Sequence, residues 1–145
     1  MTGWRIGFAL GNAELITALG RVKTNLDSGV FQAVQYAGIE ALEKEDDHIL
    51  KMREIYQRRR DLFVTGLRQL GWQVEPNPAT FYLWVKCPDG TDSRQVSKTF
   101  LEKAGVVITP GVGFGQYGEG YVRMTLTVSE ERLEEVLNRI RNLNF

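Results

Sequence analysis

The chain has 145 residues, 43% of them apolar, with 18 basic and 18 acidic side chains and no formal net charge. That size suits one domain, or a small domain plus part of another, and that apolar share supports a core rather than disorder. Balanced charge offers no field for nucleic acid or a membrane surface, no apolar run reaches bilayer length, and the opening residues lack the basic-then-apolar pattern of a secretory leader.

Trp4 to Leu10 predicts a strand: short, bulky, and bounded by Gly3 and Gly11. No second strand lies nearby in sequence to pair with it, so its edge is expected to be an aggregation template. Asn12 is a good N-cap for a helix from Ala13 to about Thr24. Ser28 predicts the cap of a second helix running to about Glu45, with a small-residue face of Ala33, Ala37, Gly38 and Ala41. Asp47 opens a long third helix whose apolar positions Ile49, Met52, Tyr56, Phe63, Leu67 and Leu70 form one stripe. Gly71 closes it as a left-handed cap.

The pattern then changes. Trp72–Val74 and Thr80–Lys86 predict strands around a Pro76-Asn77-Pro78 turn. A helix from Ser93 to Ala104 ends at Gly105, and Val106 to Thr109 reads as a short buried strand. Pro110 to Gly118 is a glycine-rich loop, Tyr121 to Val128 the last strand, and Ser129 the cap of a final helix with Leu133, Val136, Leu137 and Ile140 inside. From about residue 50 the elements make a self-sufficient α+β layer, with helices on one side of a small sheet. Residues 1 to about 46 form no such set.

Most candidate motifs have plain readings. Pro110-Gly111-Val112-Gly113-Phe114-Gly115 leads into a strand rather than a helix, so it reads as a flexible connector and not a phosphate cradle. Arg58-Arg59-Arg60 spreads around a helix and reads as a solvated surface rather than a nucleic-acid patch. His48, the only histidine, reads as an exposed first-turn residue. Cys87, the only cysteine, excludes an internal disulfide, suits the cytosol, and reads as inert. Trp4, Trp72 and Trp84 read as core aromatics. No metal site is expected.

Arg5 and Arg123 stand apart. Each is a lone cation in an apolar run, where a buried unpaired charge costs several kcal/mol or more, roughly. Each needs an anion. Spacing alone favours an internal Asp or Glu; the other reading is an external pair of anions, such as a phosphate and a carboxylate.

Three stretches carry a family likeness. Met1-Thr2-Gly3-Trp4-Arg5-Ile6-Gly7 resembles the segment after the cofactor lysine of fold-type I, pyridoxal-phosphate-dependent aminotransferases. Pro110–Gly115 with Gly118-Glu119-Gly120-Tyr121-Val122-Arg123-Met124 is similar to their substrate-carboxylate segment, and Thr80-Phe81-Tyr82-Leu83-Trp84-Val85 to a small-domain strand. Asp27-Ser28-Gly29-Val30-Phe31-Gln32-Ala33 resembles the branch with aspartate and LL-diaminopimelate aminotransferases.

The resemblance implies an α/β fold of which this chain is the C-terminal third. Residues 1–46 would end the large cofactor domain and 47–145 would be the small domain. Arg5 would hold the pyridoxal 5'-phosphate phosphate and Arg123 the substrate α-carboxylate, in a cytoplasmic enzyme exchanging an amino group between an amino acid and a 2-oxo acid. A homo-oligomer is implied, with the segment Lys23 to Ser28 as a cross-subunit candidate. The family's Schiff-base lysine stands shortly before the phosphate arginine, and the matching position falls before Met1. Lys23, Lys44, Lys51, Lys86, Lys98 and Lys103 all lie elsewhere. No catalytic residue is therefore expected in this chain, which by itself should be inactive. The alternative is a non-catalytic interaction module built from the small domain.

Overall fold

A computed structural model of the chain describes residues 3–44 and 46–143. It divides into two compact units, Met1–Lys51 and Met52–Phe145.

In the first unit, Asn12 caps α1 (Ala13–Lys23) as expected: its Oδ1 accepts from the N–H groups of Glu14 at 2.9 Å and Leu15 at 3.2 Å. The second helix, α2 (Gln32–Lys44), starts later than Ser28 predicts. Asp27 Oδ1 takes the Gly29 N–H at 2.9 Å and Gly29 adopts φ +100°, which keeps the chain out of helix until the Phe31 carbonyl accepts from Val34. The expected end at Glu45 lies outside the described residues, as do Met1 and Thr2 of the opening motif.

Residues 4–10 are not a strand. A strand exists through its ladder, and the described part of this unit supplies no partner. Ile6 instead meets the small face of α2, where a Cβ on Gly38 would lie 3.6 Å from Ile6 Cδ1. Neither α1 nor α2 holds a buried residue, and Phe8, Leu10 and Phe31 are 74%, 85% and 77% exposed. Trp4 is 53% exposed, against the core role expected of it.

The second unit takes most of α3 (Asp46–Gln69). The stripe buries Phe63 and Leu67, with Tyr56 and Leu70 packed at its margin, while Ile49, in the first unit, is exposed. Gly71 closes the helix at φ +87°. Of the expected strand Trp72–Val74 only a bridge from Val74 to Val85 forms. Pro76 and Pro78 donate no N–H, and Thr80 turns the chain at φ +68° into β1 (Tyr82–Lys86).

Next come α4 (Ser93–Thr99), a wide last turn through Phe100–Ala104, and Gly105 at φ +64°. The ladder then takes only β2 (Thr109–Pro110), where the proline ends donation. Two 3-10 turns, Gly111–Phe114 and Gln116–Gly118, lead to β3 (Tyr121–Thr125), and α5 (Glu130–Ile140) follows.

The antiparallel sheet has the order β1-β3-β2. Leu83, Val85, Val122 and Met124 alternate onto its buried face and join Phe63, Leu67, Val96, Phe100, Leu133 and Ile140 in one core. Trp72 meets Phe100 edge-on at 5.5 Å. The helices thus cover one face, as the α+β reading expects, and the other face is left for side chains that serve no core.

The arginine triplet is more than a solvated surface. Arg59 donates to the Leu126 carbonyl at 3.2 Å and Arg60 to that of Asn77 at 3.3 Å, while Arg58 pairs with Glu130. All three stitch α3 to its neighbours. No described helix is long and apolar enough to cross a membrane.

Candidate functional site

Strand alternation decides which side chains share the open face: Tyr82 and Trp84 from β1, Tyr121 and Arg123 from β3. Arg123 sits on the central strand, opposite Trp84 on one side and Thr109 on the other. Its guanidinium carbon lies 4.1 Å from the Tyr82 ring centre and 4.6 Å from that of Phe114, within cation–π reach of both. Trp84 is 41% exposed rather than a core residue. It stacks on Tyr121 at 5.7 Å and meets Phe114 edge-on at 5.7 Å. A cavity of about 680 Å³ opens along this face, bounded by Asn77, Thr80, Tyr82, Trp84, Tyr121 and Arg123.

The side chain of half-buried Arg123 makes no hydrogen bond or ion pair with any described residue. The internal carboxylate that spacing favours is therefore not found among the described residues. All the N–H donors of the guanidinium are thus uncommitted among the described residues.

Phe114 reaches Arg123 from the glycine-rich loop, which connects into β3 as expected and opens no α-helix, but does so through two 3-10 turns. Backbones cross at its base: a Cβ on Gly111 would lie 2.0 Å from Gly118 O and 2.5 Å from Tyr121 O, and a Cβ on Gly118 would lie 2.1 Å from Gly111 O. Glycine is required at both positions by the close approach itself. Glu119 then ties the loop to α4. Its carboxylate accepts from Ser93 N at 2.7 Å, Ser93 Oγ at 3.1 Å and Gly120 N at 2.8 Å, and Ser93 Oγ accepts from Val112 N at 3.4 Å. The backbone N–H of Ser93, first, and that of Gly120 hold the Glu119 carboxyl below its usual range. Sequence reading missed this link, because Ser93 and Glu119 are far apart in the chain and look like an ordinary first-turn serine and an ordinary loop carboxylate.

Arg5 belongs to the first unit and is described there. It is exposed, has φ +52°, and makes no hydrogen bond or ion pair with a described residue. A guanidinium with all its donors uncommitted suits a phosphate dianion, so the donor chemistry fits the group implied for it. None of the six lysines stands in the segment leading to Arg5. Lys23, Lys44, Lys86 and Lys98 are ion-paired with Asp27, Glu40, Asp89 and Glu102. His48 is exposed. Cys87 is buried, and its thiol is pushed up to about 11, first by burial and then by the Glu119 and Asp92 carboxylates. At neutral pH it is a small apolar filler. Among the described residues no three His, Cys, Asp or Glu side chains are grouped to hold a metal ion.

A family model described as aminotransferase class I and II matches residues 1–140. The LL-diaminopimelate aminotransferase of Halothermothrix orenii is 57% identical over 142 residues, covering 98% of this chain and 36% of that protein. Among solved structures, substrate-bound BacF of Bacillus subtilis superposes with a TM-score of 0.92 at 37% identity, over all of this chain and 37% of that one. The aspartate aminotransferase of Thermus thermophilus with maleate superposes with a TM-score of 0.88 at 36% identity, over 97% of this chain and 37% of that one. The chain thus spans a little over a third of the length of the relatives it matches.

Proposed function

Since the chain belongs to the class I and II aminotransferase family, we propose that it works as the C-terminal part of a pyridoxal-phosphate-dependent amino-acid aminotransferase, with LL-diaminopimelate as its first candidate substrate and aspartate as its second. Residues 1–46 complete the cofactor domain and 47–145 form the small domain. The working enzyme is a cytoplasmic homo-oligomer. The single observation that carries the reading is Arg123, a half-buried cation on the open sheet face with aromatic neighbours and no carboxylate partner among the described residues.

When bound, pyridoxal phosphate supplies an electron sink for the substrate Cα. Arg5 holds the phosphate, a dianion well matched to a guanidinium fork. Arg123 takes the α-carboxylate through two N–H···O contacts. Two contacts rather than one fix the rotation of the substrate about its Cα–carboxyl bond, so binding energy is converted into orientation of the Cα–H. The Tyr82 and Phe114 rings flank that cation through their faces without taking its N–H donors.

A chimera tests this. Residues 1–145 replace the matching C-terminal stretch of the Halothermothrix orenii relative, and turnover of LL-diaminopimelate is measured. Arg123→Gln is expected to lower kcat/KM about 100-fold, the scale of a lost bidentate charged contact. An unchanged kcat/KM sinks the carboxylate role. A folded chimera without any turnover favours the interaction-module reading instead.

A further inference from the structure

The two rings beside Arg123 have a use of their own. An arginine side chain is long and rotamer-rich, and a guanidinium that wanders binds an anion weakly. A neighbouring Asp or Glu would hold it still but would occupy the N–H groups that the ligand needs. Aromatic faces attract the cation through the ring quadrupole and take no N–H donor. With its carbon 4.1 Å from the Tyr82 ring centre and 4.6 Å from that of Phe114, Arg123 has this second arrangement.

Both rings are themselves held. Tyr82 packs on Phe81 at 4.6 Å, its carbonyl accepts from Asn77 Nδ2 at 2.7 Å, and its N–H donates to Thr80 Oγ1 at 3.2 Å. Phe114 is braced by Trp84, which is stacked on Tyr121, and its turn rests on the Gly111–Gly118 crossing. Phe114 is nonetheless about half exposed and Tyr82 contributes to no core, so neither ring is explained by burial.

We propose that Tyr82 and Phe114 are positioning residues, which fix the Arg123 guanidinium against their faces and leave its N–H edge presented to a single carboxylate. The inference rests on the carboxylate-binding reading of Arg123 given above.

The test follows the arginine Nε–Hε resonances of the full chain labelled with nitrogen-15, with the Arg123 signal identified by its loss in Arg123→Lys. Sodium acetate is the probe. In the unaltered chain the Arg123 signal is expected to be motionally restrained and to move saturably with acetate. Tyr82→Leu and Phe114→Leu should each loosen it and weaken acetate binding about 3- to 10-fold. Tyr82→Phe and Phe114→Tyr, which keep a ring, should restore both properties. A general loss of stability would disturb backbone amides throughout and would not be rescued by ring chemistry. Leu variants with unaltered Arg123 order and acetate affinity overturn the positioning role while leaving the carboxylate site standing. Failure of acetate to move the signal in the unaltered chain overturns both.

Discussion

Replacing Gly111 by alanine probes the base of the site at one atom. The added Cβ would lie 2.0 Å from Gly118 O and 2.5 Å from Tyr121 O. Ordinary contact needs about 3.4 Å, so one backbone must yield by more than about 1 Å against well-packed neighbours. Tyr121 opens β3, and Gly118 is separated from it by two residues, so neither oxygen can swing aside as a side-chain tip could. Overpacking of this kind costs about 3 kcal/mol, at the upper end of the usual range. For a domain of this size that is a fall in Tm of roughly 10 °C or more. The control lies in the same turn. Gly113 has open space around its Cβ position and no left-handed backbone, so Gly113→Ala should be neutral or slightly stabilising. Thermal unfolding of the two variants of the 145-residue chain, followed by circular dichroism, makes the comparison. Because the turn carries Phe114, Gly111→Ala should also loosen Arg123, whereas Gly113→Ala should not. Equal Tm values for the two variants, within about 1 °C, would refute the crossing as the constraint on this loop.

Other outcomes follow from the core, the thiol and the loop carboxylate. Leu67→Ala and Leu133→Ala, at positions 0% and 1% exposed, should each cost about 2–5 kcal/mol in urea unfolding, while Val107→Ala, 81% exposed, should stay within about 0.5 kcal/mol. Cys87 should resist iodoacetamide at pH 8 until the protein is unfolded; labelling of the native chain at the rate of a free thiol contradicts its burial. Because its folded value is raised from 9.0 to about 11, the thiol favours the folded state fully below pH 9 and loses that contribution as pH rises through 11. Cys87→Ser should flatten this alkaline limb of the stability curve. Glu119 titrates with the opposite sense. Its folded value is lowered from about 4.5, so its contribution is present above that pH and fades as the pH falls through the lowered value. Glu119→Gln should lower Tm at pH 7 and remove that part of the acid slope; an unchanged slope means that the carboxylate does not hold the loop.

What the sequence made legible was local. Asn12, Gly71 and Gly105 mark helix ends by chemistry that acts within one turn, and all three act in the structure. The apolar spacing of α3 and α5 likewise identified the faces that carry Phe63, Leu67, Leu133 and Ile140. What failed depended on partners distant in sequence. Residues 4–10 have strand composition but no ladder, and Trp84 has core composition but falls on the open face because its neighbours Leu83 and Val85 take the buried one. Ser28 has the right chemistry for a cap and loses to Asp27 and Gly29 next to it. In the loop at 110–118 glycine can mean freedom or close approach, and only the distance between Gly111 and Gly118 shows the close approach at those two positions. Arg123 was singled out as a lone cation, but its aromatic neighbours come from β1 and from a 3-10 turn, and no spacing rule reaches them.

Along β3, consecutive residues answer to different demands. Val122 and Met124 face inward and can change only with the packing around them, whereas Tyr121 and Arg123 between them meet whatever lies outside. A one-residue alternation therefore separates heritable variation in recognition from variation in folding. A change at Tyr82, Trp84 or Tyr121 alters the open face and the setting of Arg123 without reopening the hydrophobic jigsaw beneath, and the strand serves as a rigid rail that keeps the two apart.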